Sequence, residues 1–498
     1  MTVVKPGAPL QEAAPALRWS VPARPGRAAP SVIWLVLGFA AHIPFALLAV
    51  RIPFLGAAHA VVSLAVGLAW AVSSRPWRAG LAAAYICGAE VLWRMTGTTV
   101  YWEFAKYSVT LVFLVAAWRL GRGMASGLAI AYFALLLPAA VITFDKSPFA
   151  IAVNDLSFNL SGPLAIMASV LFFSRIRLSL AQFGLLLLAA AAPIVGISAV
   201  VWRGLLQTTK FEFGGSNVTL SGGFAPNQVS SMLGLGVLLI ALFLLSGRNG
   251  IPTGVALLAV LLIFATQSAM TFSRGGLSLA GASLAVAAFS LVREKRVRRR
   301  LVLGGALVAA IATFVIVPRL LSFTGGAIAS RFAQTSTTGR AEIVEADLDT
   351  WLDSPIFGVG PGRAKQNRGR YFRLEASHTE FTRLLAEHGL LGLAAIGCLV
   401  ALGGRAFRAP ASPMSWALRA ALMTWSLLFM SIDGLRLVAP CLAFGIALVT
   451  LDGAAASPRK TAGLSKSADE HPADDREARA AQRLHPARLA PEPDEGPW

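Results

Sequence analysis

Apolar runs of about twenty residues recur along this 498-residue chain, and each is long enough to cross the hydrocarbon core of a bilayer as a helix. The composition agrees with this pattern, because 56% of the residues are hydrophobic and only 14% are charged. Such runs are typical of integral membrane proteins. We therefore predict an all-α polytopic membrane protein.

We predict about 12 to 14 transmembrane helices. The fourteen runs that fit a span lie at 31–50, 54–73, 79–95, 104–118, 124–143, 159–173, 179–201, 226–246, 251–271, 275–292, 301–320, 379–403, 414–431 and 435–451. Fourteen spans place both ends of the chain on the same side of the membrane.

The distribution of basic residues predicts which side that is. The formal net charge is +19, but the cations are spread over short alternate loops, which the positive-inside rule explains better than a nucleic-acid partner does. The loops on the N-terminal side are therefore predicted to be cytoplasmic; their basic residues are Arg75, Arg78, Arg119, Arg122, Arg175, Arg177, Arg248, the run 293–300, Arg405 and Arg408.

The opposite loops then face outward, and by far the longest polar one is 321–378. A connection of this length between spans requires a functional explanation. Residues 1–30 and 452–498 carry few large apolar side chains, so we predict disordered cytoplasmic tails on both sides of a membrane domain at 31–451. We expect no removable signal peptide before the first span, because no short apolar region with a small-residue cleavage site is found there.

Polar residues in the first outward stretch, 202–228, are candidates for substrate binding. Glycines and Pro226 predict a turn that re-enters the membrane with Asn227 near the start of the next span. Arg203 and Lys210 would lie beside the bilayer surface, where they either anchor the interface or bind an anion. Asn227 either caps the next helix or contacts substrate.

Two arginines in later outward stretches fit phosphate binding. Arg274 in FSRGG lies at the outer end of a span, where it either snorkels to the surface or presents its planar donors to a phosphate. Arg340 begins an amphipathic helix that ends before Pro355, and a cation in a first turn opposes the helix dipole. The apolar face of this helix, Val344, Leu348, Trp351 and Leu352, is predicted to lie over the membrane domain.

The end of the long outward loop holds a candidate base. Ser377 and Glu380 have capping-box spacing, which predicts His378 in the first turn of a membrane helix, neutral and able to accept a proton. Glu380 is a further candidate for substrate binding, and it would orient the histidine or only cap the helix. Upstream, GVGPG at 358–362 is typical of a tight turn with backbone N–H groups aimed at an anion. In the membrane, Glu90 must be neutral, paired or facing water.

Four motifs in order, GGFAPNQ, FSRGG, the loop GR…W…P.FGVGPG and SHTEFTRLLAEHGLLGL, resemble the O-antigen ligase and O-antigen polymerase superfamily of bacterial inner-membrane glycosyltransferases. The resemblance covers about residues 200–400. It implies a C-type glycosyltransferase fold, with a large periplasmic loop containing short helices over a cavity open to the outer leaflet. It also implies glycan donors on undecaprenyl pyrophosphate, a glycan or lipid A core as acceptor, and no cofactor or metal.

Carried over by motif, the resemblance implies that His378, Arg274 and Arg340 are catalytic. Two positions depart from the family: Thr379 follows the histidine where Asn is frequent, and no arginine directly precedes the glycine-proline-asparagine turn. We predict transfer of a lipid-linked glycan to a sugar hydroxyl with inversion, with His378 as general base and the arginines on the pyrophosphate. The sequence does not separate ligase, polymerase and protein glycosyltransferase; the alternative class is a lipid-linked-oligosaccharide flippase or other transporter.

Overall fold

The computed structural model describes residues 31–121, 126–207, 216–247, 249–334, 339–368, 376–409 and 411–452. Both predicted tails, apart from residue 452, lie outside these ranges. Within them the chain is almost entirely helical, as expected from runs of apolar residues without strand alternation.

The first ten helices lie between residues 32 and 207. Their bounds are α1 Val32–Ala40, α2 His42–Arg51, α3 Pro53–Ala71, α4 Trp77–Met95, α5 Phe104–Leu120, α6 Ser126–Ala134, α7 Ala140–Lys146, α8 Phe149–Phe173, α9 Leu180–Ala191 and α10 Ile194–Gln207.

Eleven helices follow, and the short ones among them lie mostly in the predicted outward loop. Their bounds are α11 Pro226–Leu245, α12 Ile251–Met270, α13 Gly275–Leu291, α14 Lys295–Ile311, α15 Val317–Phe323, α16 Ala327–Ala333, α17 Arg340–Asp353, α18 Ala364–Arg368, α19 Glu380–Arg408, α20 Pro413–Ile432 and α21 Ala439–Ile446. A 3₁₀ turn spans Thr219–Ser221, and a π-helical turn at Ala312–Ile316 joins α14 to α15.

Nine helical stretches of the described residues are long and apolar enough to cross a membrane. The chain is therefore an all-α, multi-pass membrane protein, which confirms the predicted fold class. Several other predicted spans are shorter helices or are broken. The run 124–143 divides into α6 and the start of α7, and the run 435–451 is helical only over α21.

Helix α11 lies at the centre of the bundle and packs on α9, α12 and α13. Small residues permit this close packing, as they do between membrane helices in general. A Cβ atom on Gly234 would lie 2.2 Å from the carbonyl oxygen of Gly276, and one on Gly236 would lie 2.6 Å from the ring of Phe264. The glycines of α11 thus fix where α13, and with it the FSRGG turn, sits in the bundle.

Two three-residue strands pair in parallel at one end of the bundle. Strand β1, Arg177–Ser179, aligns with β2, Thr450–Asp452, in a register that places Leu178 beside Leu451. The topology predicted from basic residues assigns both segments to the cytoplasmic side. Their pairing is compatible with that assignment.

Candidate active site

The FSRGG motif forms a strained turn between α12 and α13. Phe272 is buried and has φ of 56°, a left-handed conformation that is uncommon for a residue with a side chain. Its carbonyl oxygen accepts a hydrogen bond from Nε of Arg331 at 3.1 Å. Arg274 follows on the same turn, and its Nη1 donates to the carbonyl of Gln334. Arg274 and Arg331 are therefore joined through the residues after α16.

Asn227, a predicted substrate contact, is bonded to the FSRGG turn. Its side-chain oxygen accepts a hydrogen bond from the hydroxyl of Ser273 at 2.8 Å, and the hydroxyl of Ser230 donates to the carbonyl of Ser273 at 2.9 Å. These bonds attach the start of α11 to the FSRGG turn. Asn227 therefore positions the residue beside Arg274.

The loop helix α17 begins at Arg340, as the sequence predicted, after Gly339 in a left-handed conformation. The predicted buried face is wrong, because Leu348 and Leu352 are 36% and 69% exposed. The residues that α17 buries are Ile343, Ala346, Asp347 and Thr350. The helix is thus turned so that a carboxylate, rather than the most apolar stripe, faces the protein. Three polar partners for Asp347 explain this orientation.

Asp347 is fully buried and is the centre of a polar network. One carboxylate oxygen lies 2.9 Å from Nε of Arg368, which is also fully buried. The hydroxyls of Ser377 and Thr382 donate to its two oxygens at 3.1 and 2.9 Å. Burial raises the pKa of Asp347, and the charge of Arg368 opposes that shift. This network joins α17, α18 and the two sides of His378.

His378 does not lie in a helix, so the predicted capping box is wrong. Helix α19 begins at Glu380, and its N-cap is Thr379, whose hydroxyl accepts from the backbone N–H of Phe381 at 3.2 Å. The hydroxyl of Ser377 instead donates to the carboxylate of Asp347. His378 is held in the short segment between these two anchors. Its Nδ1 is buried and has no hydrogen-bond partner in the described part of the chain.

Glu380 does not cap the helix, and the hydrogen bonds of its carboxylate among the described residues go to Arg383 and Leu435 rather than to His378. Its carboxylate forms an ion pair with Arg383 and accepts from the backbone N–H of Leu435 at 3.3 Å. Arg383 also pairs with Glu387 at 2.7 Å and donates to the side-chain oxygen of Asn159 at 3.1 Å. Glu380 thus attaches the turn between α20 and α21 to α19.

The glycine turn at 358–362 docks on a kink in α19. The kink lies at Gly389, with φ of 60° and ψ of −136°, which frees backbone carbonyls of the preceding turn. The N–H groups of Val359 and Gly360 donate to the carbonyls of Ala386 and Glu387 at 2.9 and 3.0 Å, and that of Gly362 donates to the Glu387 carboxylate at 2.9 Å. These three N–H groups therefore all bond to α19. The anion that the sequence predicted at this turn is the carboxylate of Glu387, which accepts from Gly362.

Cationic groups surround His378. Arg436, in the turn between α20 and α21, donates from Nη2 to the carbonyl of Ser377 at 3.3 Å. Burial, which is the largest cause, and the charges of Arg436, Arg340 and Arg368 together lower the pKa of His378 to about 4. The imidazole is accordingly neutral at neutral pH, as the sequence predicted. The cause is burial among arginines rather than a helix dipole.

Arg340 belongs to the same positive cluster. Burial lowers its pKa, Asp433 raises it, and Arg436, Arg274 and Arg331 each lower it. Arginine side chains from α17, the FSRGG turn, α16 and the turn after α20 thus act on each other. We call these four, Arg274, Arg331, Arg340 and Arg436, the arginine cluster. Such an arrangement favours a multivalent anion, since like charges without a ligand repel each other.

Other predicted residues lie apart from this cluster or cannot be located. Arg203 is half-buried on α10, and no ion pair to it is found among the described residues. Lys210 lies outside the described residues. Glu90 is paired, with its carboxylate 2.7 Å from Nη2 of Arg94 and bonded to the backbone N–H of Val438 at 2.8 Å.

Sequence reasoning missed Arg331, Arg436, Asp433 and Asp347. A usable signal exists for the first three. The helix count that places 321–378 outward also places the short turn 432–434 outward, and Arg436 lies at the outer end of the span that follows this turn. Polar residues at such turns share one surface with the candidates already named. Asp347 gave no signal, since an acidic residue on an amphipathic helix normally faces solvent.

Residues 257–397 match the family model described as O-antigen ligase. The matched segment contains the FSRGG turn, α16, α17, the glycine turn, His378 and the kink of α19. No curated protein matches the chain. A match to this family implies activity of the ligase or polymerase type in broad terms, with lipid-linked glycan and acceptor substrates. The family match confirms the resemblance of the chain to the O-antigen ligase and O-antigen polymerase superfamily over residues 257–397.

Proposed function

We propose that this protein is an inverting glycosyltransferase that takes a glycan from an undecaprenyl-pyrophosphate donor and joins it to a sugar hydroxyl. The reaction takes place at the periplasmic face of the bacterial inner membrane. The observation that carries the proposal is a neutral histidine, His378, close to Arg436 and Arg340, two members of the arginine cluster. That pairing supplies a base for a hydroxyl and a site for pyrophosphate within one cluster.

His378 acts as the general base. The acceptor hydroxyl oxygen attacks the anomeric carbon of the donor sugar while its proton passes to the imidazole. The bond between that carbon and the phosphate oxygen breaks, and undecaprenyl pyrophosphate leaves with the electron pair. One displacement of this kind inverts the anomeric configuration. The negative charge of the bound pyrophosphate offsets the positive field of the arginines. It therefore raises the pKa of the imidazole and makes His378 a stronger base when the donor is bound.

The arginine cluster binds the pyrophosphate and stabilises the charge that develops on it. Arg274 and Arg340, the two arginines that the family motifs carry over to this chain, are the primary contacts. Guanidinium groups suit this task because their planar donors match phosphate oxygens in pairs. Because pyrophosphate is a good leaving group, the mechanism requires no strong general acid.

The proposal is tested by surface polysaccharide profiles of a deletion strain of the source bacterium. Lipopolysaccharide core without long chains indicates a ligase, core bearing one repeat unit indicates a polymerase, and loss of a secreted polymer alone indicates an exopolysaccharide enzyme. His378→Ala and Arg274→Ala should fail to restore the profile, whereas Arg319→Ala, at an exposed position on α15, should restore it. Normal profiles from both site variants, with normal protein levels, would contradict the proposal.

A further inference from the structure

A polar cavity of about 280 Å³ lies beside the arginine cluster, between α8, α18, α19 and the turn after α20. This volume is near the small end of the range of roughly 300–1,000 Å³ that is typical of small-molecule sites. Ser377, the neighbour of His378, lines the cavity. Of the four arginines in the cluster, only Arg436 lines it. The cavity thus adjoins the segment that carries the base, and Arg274, Arg331 and Arg340 are not among its lining residues.

The charges around the cavity balance. Its lining contains four carboxylates and four cations, namely Asp155, Glu380, Glu387 and Asp433 with Lys365, Arg368, Arg383 and Arg436. Arg383 is neutralised by its two glutamates and Arg368 is paired with Asp347 outside the lining. A lining without a net positive charge does not favour a pyrophosphate. It fits a neutral ligand with many hydroxyl groups.

Two buried carboxylates in the lining still have hydrogen-bonding capacity. Asp433 is 2% exposed, and neither of its carboxylate oxygens accepts a hydrogen bond from the described residues, although Arg436 lies 3.6 Å away. Asp155 is 8% exposed, and its Oδ2 likewise accepts none. Buried carboxylates without donors are costly, so such positions in a cavity indicate a ligand that donates hydrogen bonds.

We propose that this cavity binds the acceptor sugar, with Asp433 and Asp155 accepting hydrogen bonds from its hydroxyl groups. The bound sugar presents one further hydroxyl to His378 while the donor pyrophosphate occupies the arginine cluster. This inference rests on the proposed function and adds the location of the acceptor. It assigns Asp433 and Asp155 to acceptor recognition, whereas Arg274 and Arg340 recognise the donor.

The test uses the full-length protein in lipid nanodiscs, with the lipid-linked glycan of the source strain as saturating donor. Rough lipopolysaccharide core and a short-chain lipid-linked repeat unit are titrated separately as acceptors. Asp433→Asn and Asp155→Asn should each raise the KM for the acceptor that the wild type uses by roughly tenfold or more, as expected for losing a hydrogen bond to a charged group. Binding of undecaprenyl pyrophosphate, measured by native mass spectrometry, should not weaken in either variant.

Asp145→Asn is the matched control, because Asp145 undergoes the same change on α7 but its side chain is 65% exposed and absent from the lining. Asn154→Ala, at the exposed rim of the cavity, provides a further test if Asp433→Asn does not accumulate. Unchanged acceptor KM in these cavity variants would overturn the inference, and so would a weakened affinity for undecaprenyl pyrophosphate instead. Absence of any transfer by the wild type would contradict the proposed function itself.

Discussion

The carboxylate of Asp347 accepts a hydrogen bond from the hydroxyl of Ser377 at 3.1 Å, and this bond fixes the residue that precedes His378 to the loop helix. On the other side of His378, the hydroxyl of Thr382 donates to the second oxygen of the same carboxylate at 2.9 Å. One buried acid therefore positions both flanks of the proposed base. The loop helix and the start of α19 are coupled through it.

Removing the charge of Asp347 should be destabilising because it leaves Arg368 buried without its ion-pair partner. Asp347→Asn is expected to lower the free energy of unfolding by about 3–5 kcal/mol, the range for breaking a buried pair. The double variant Asp347→Asn with Arg368→Gln should recover part of that loss. Thermal unfolding in detergent measures both, and strictly additive effects in this double-mutant cycle would exclude the coupling.

The arginines near His378 should set the pH range of activity. The neutral imidazole is the active form, so kcat/KM for the donor should be constant at neutral pH and fall as the pH drops through the pKa of about 4. Arg436→Gln removes the largest single charge effect on this pKa, so the acidic limb should move to higher pH. Arg319→Gln should leave the limb in place. A limb that stays fixed in Arg436→Gln would show that another group titrates.

Asp433 should make the protein less stable as the pH rises. Burial raises its pKa to about 6 from an ordinary value of 3.8, while Arg436 and Arg340 lower it. A raised pKa means that the folded state binds a proton more tightly than the unfolded state does. Protonation of Asp433 therefore stabilises the fold fully below pH 3.8, and this stabilisation is lost as the pH rises through 6. The free energy of unfolding of Asp433→Asn, relative to that of the wild type, should therefore be higher at pH 8 than at pH 4 by on the order of 3 kcal/mol. Chemical unfolding at both pH values gives this difference, and parallel stability curves would contradict it.

The kink of α19 should require glycine at residue 389. A Cβ atom there would lie 2.5 Å from the carbonyl oxygens of Pro355 and Ile356, and φ is 60°. Gly389→Ala should cost about 1–2 kcal/mol from the left-handed conformation alone, with a further loss from the clash and a loss of transfer activity. Gly397→Ala is the control on the same helix, since nothing lies within 4 Å of its Cβ position. Equal thermal stability of the two variants would refute this role of the kink.

The helical fold was predictable because spans have a length and a composition that the bilayer imposes. The positions of Arg274 and Arg340 at helix starts were predictable for a similar reason, since glycine and proline mark those ends. Contacts between distant segments were not predictable. The glycine turn at 358–362 offers backbone donors, and these bond to residues 386 and 387. Those bonds depend on a kink at Gly389, which the local periodicity of the sequence does not show.

The local environment of His378 was hidden for the same reason. The spacing of Ser377 and Glu380 fits a capping box, yet long-range partners compete for both side chains. Ser377 bonds to Asp347, 30 residues earlier in the chain, and Glu380 bonds to Leu435, 55 residues later. Arg436 acts on His378 from that same turn, so the surroundings of the base depend on the assembled bundle.

The central claim is that His378 is the base for glycosyl transfer and that the arginine cluster binds the pyrophosphate independently of it. The most direct measurement is single-turnover transfer by purified His378→Gln in nanodiscs, together with its affinity for undecaprenyl pyrophosphate. Transfer should fall by about 10²–10⁴-fold, the contribution of a general base, while the affinity stays near that of the wild type. Transfer by His378→Gln at the wild-type rate would contradict the claim, as would a wild-type protein that moves the lipid-linked glycan across the bilayer without ever joining it to an acceptor.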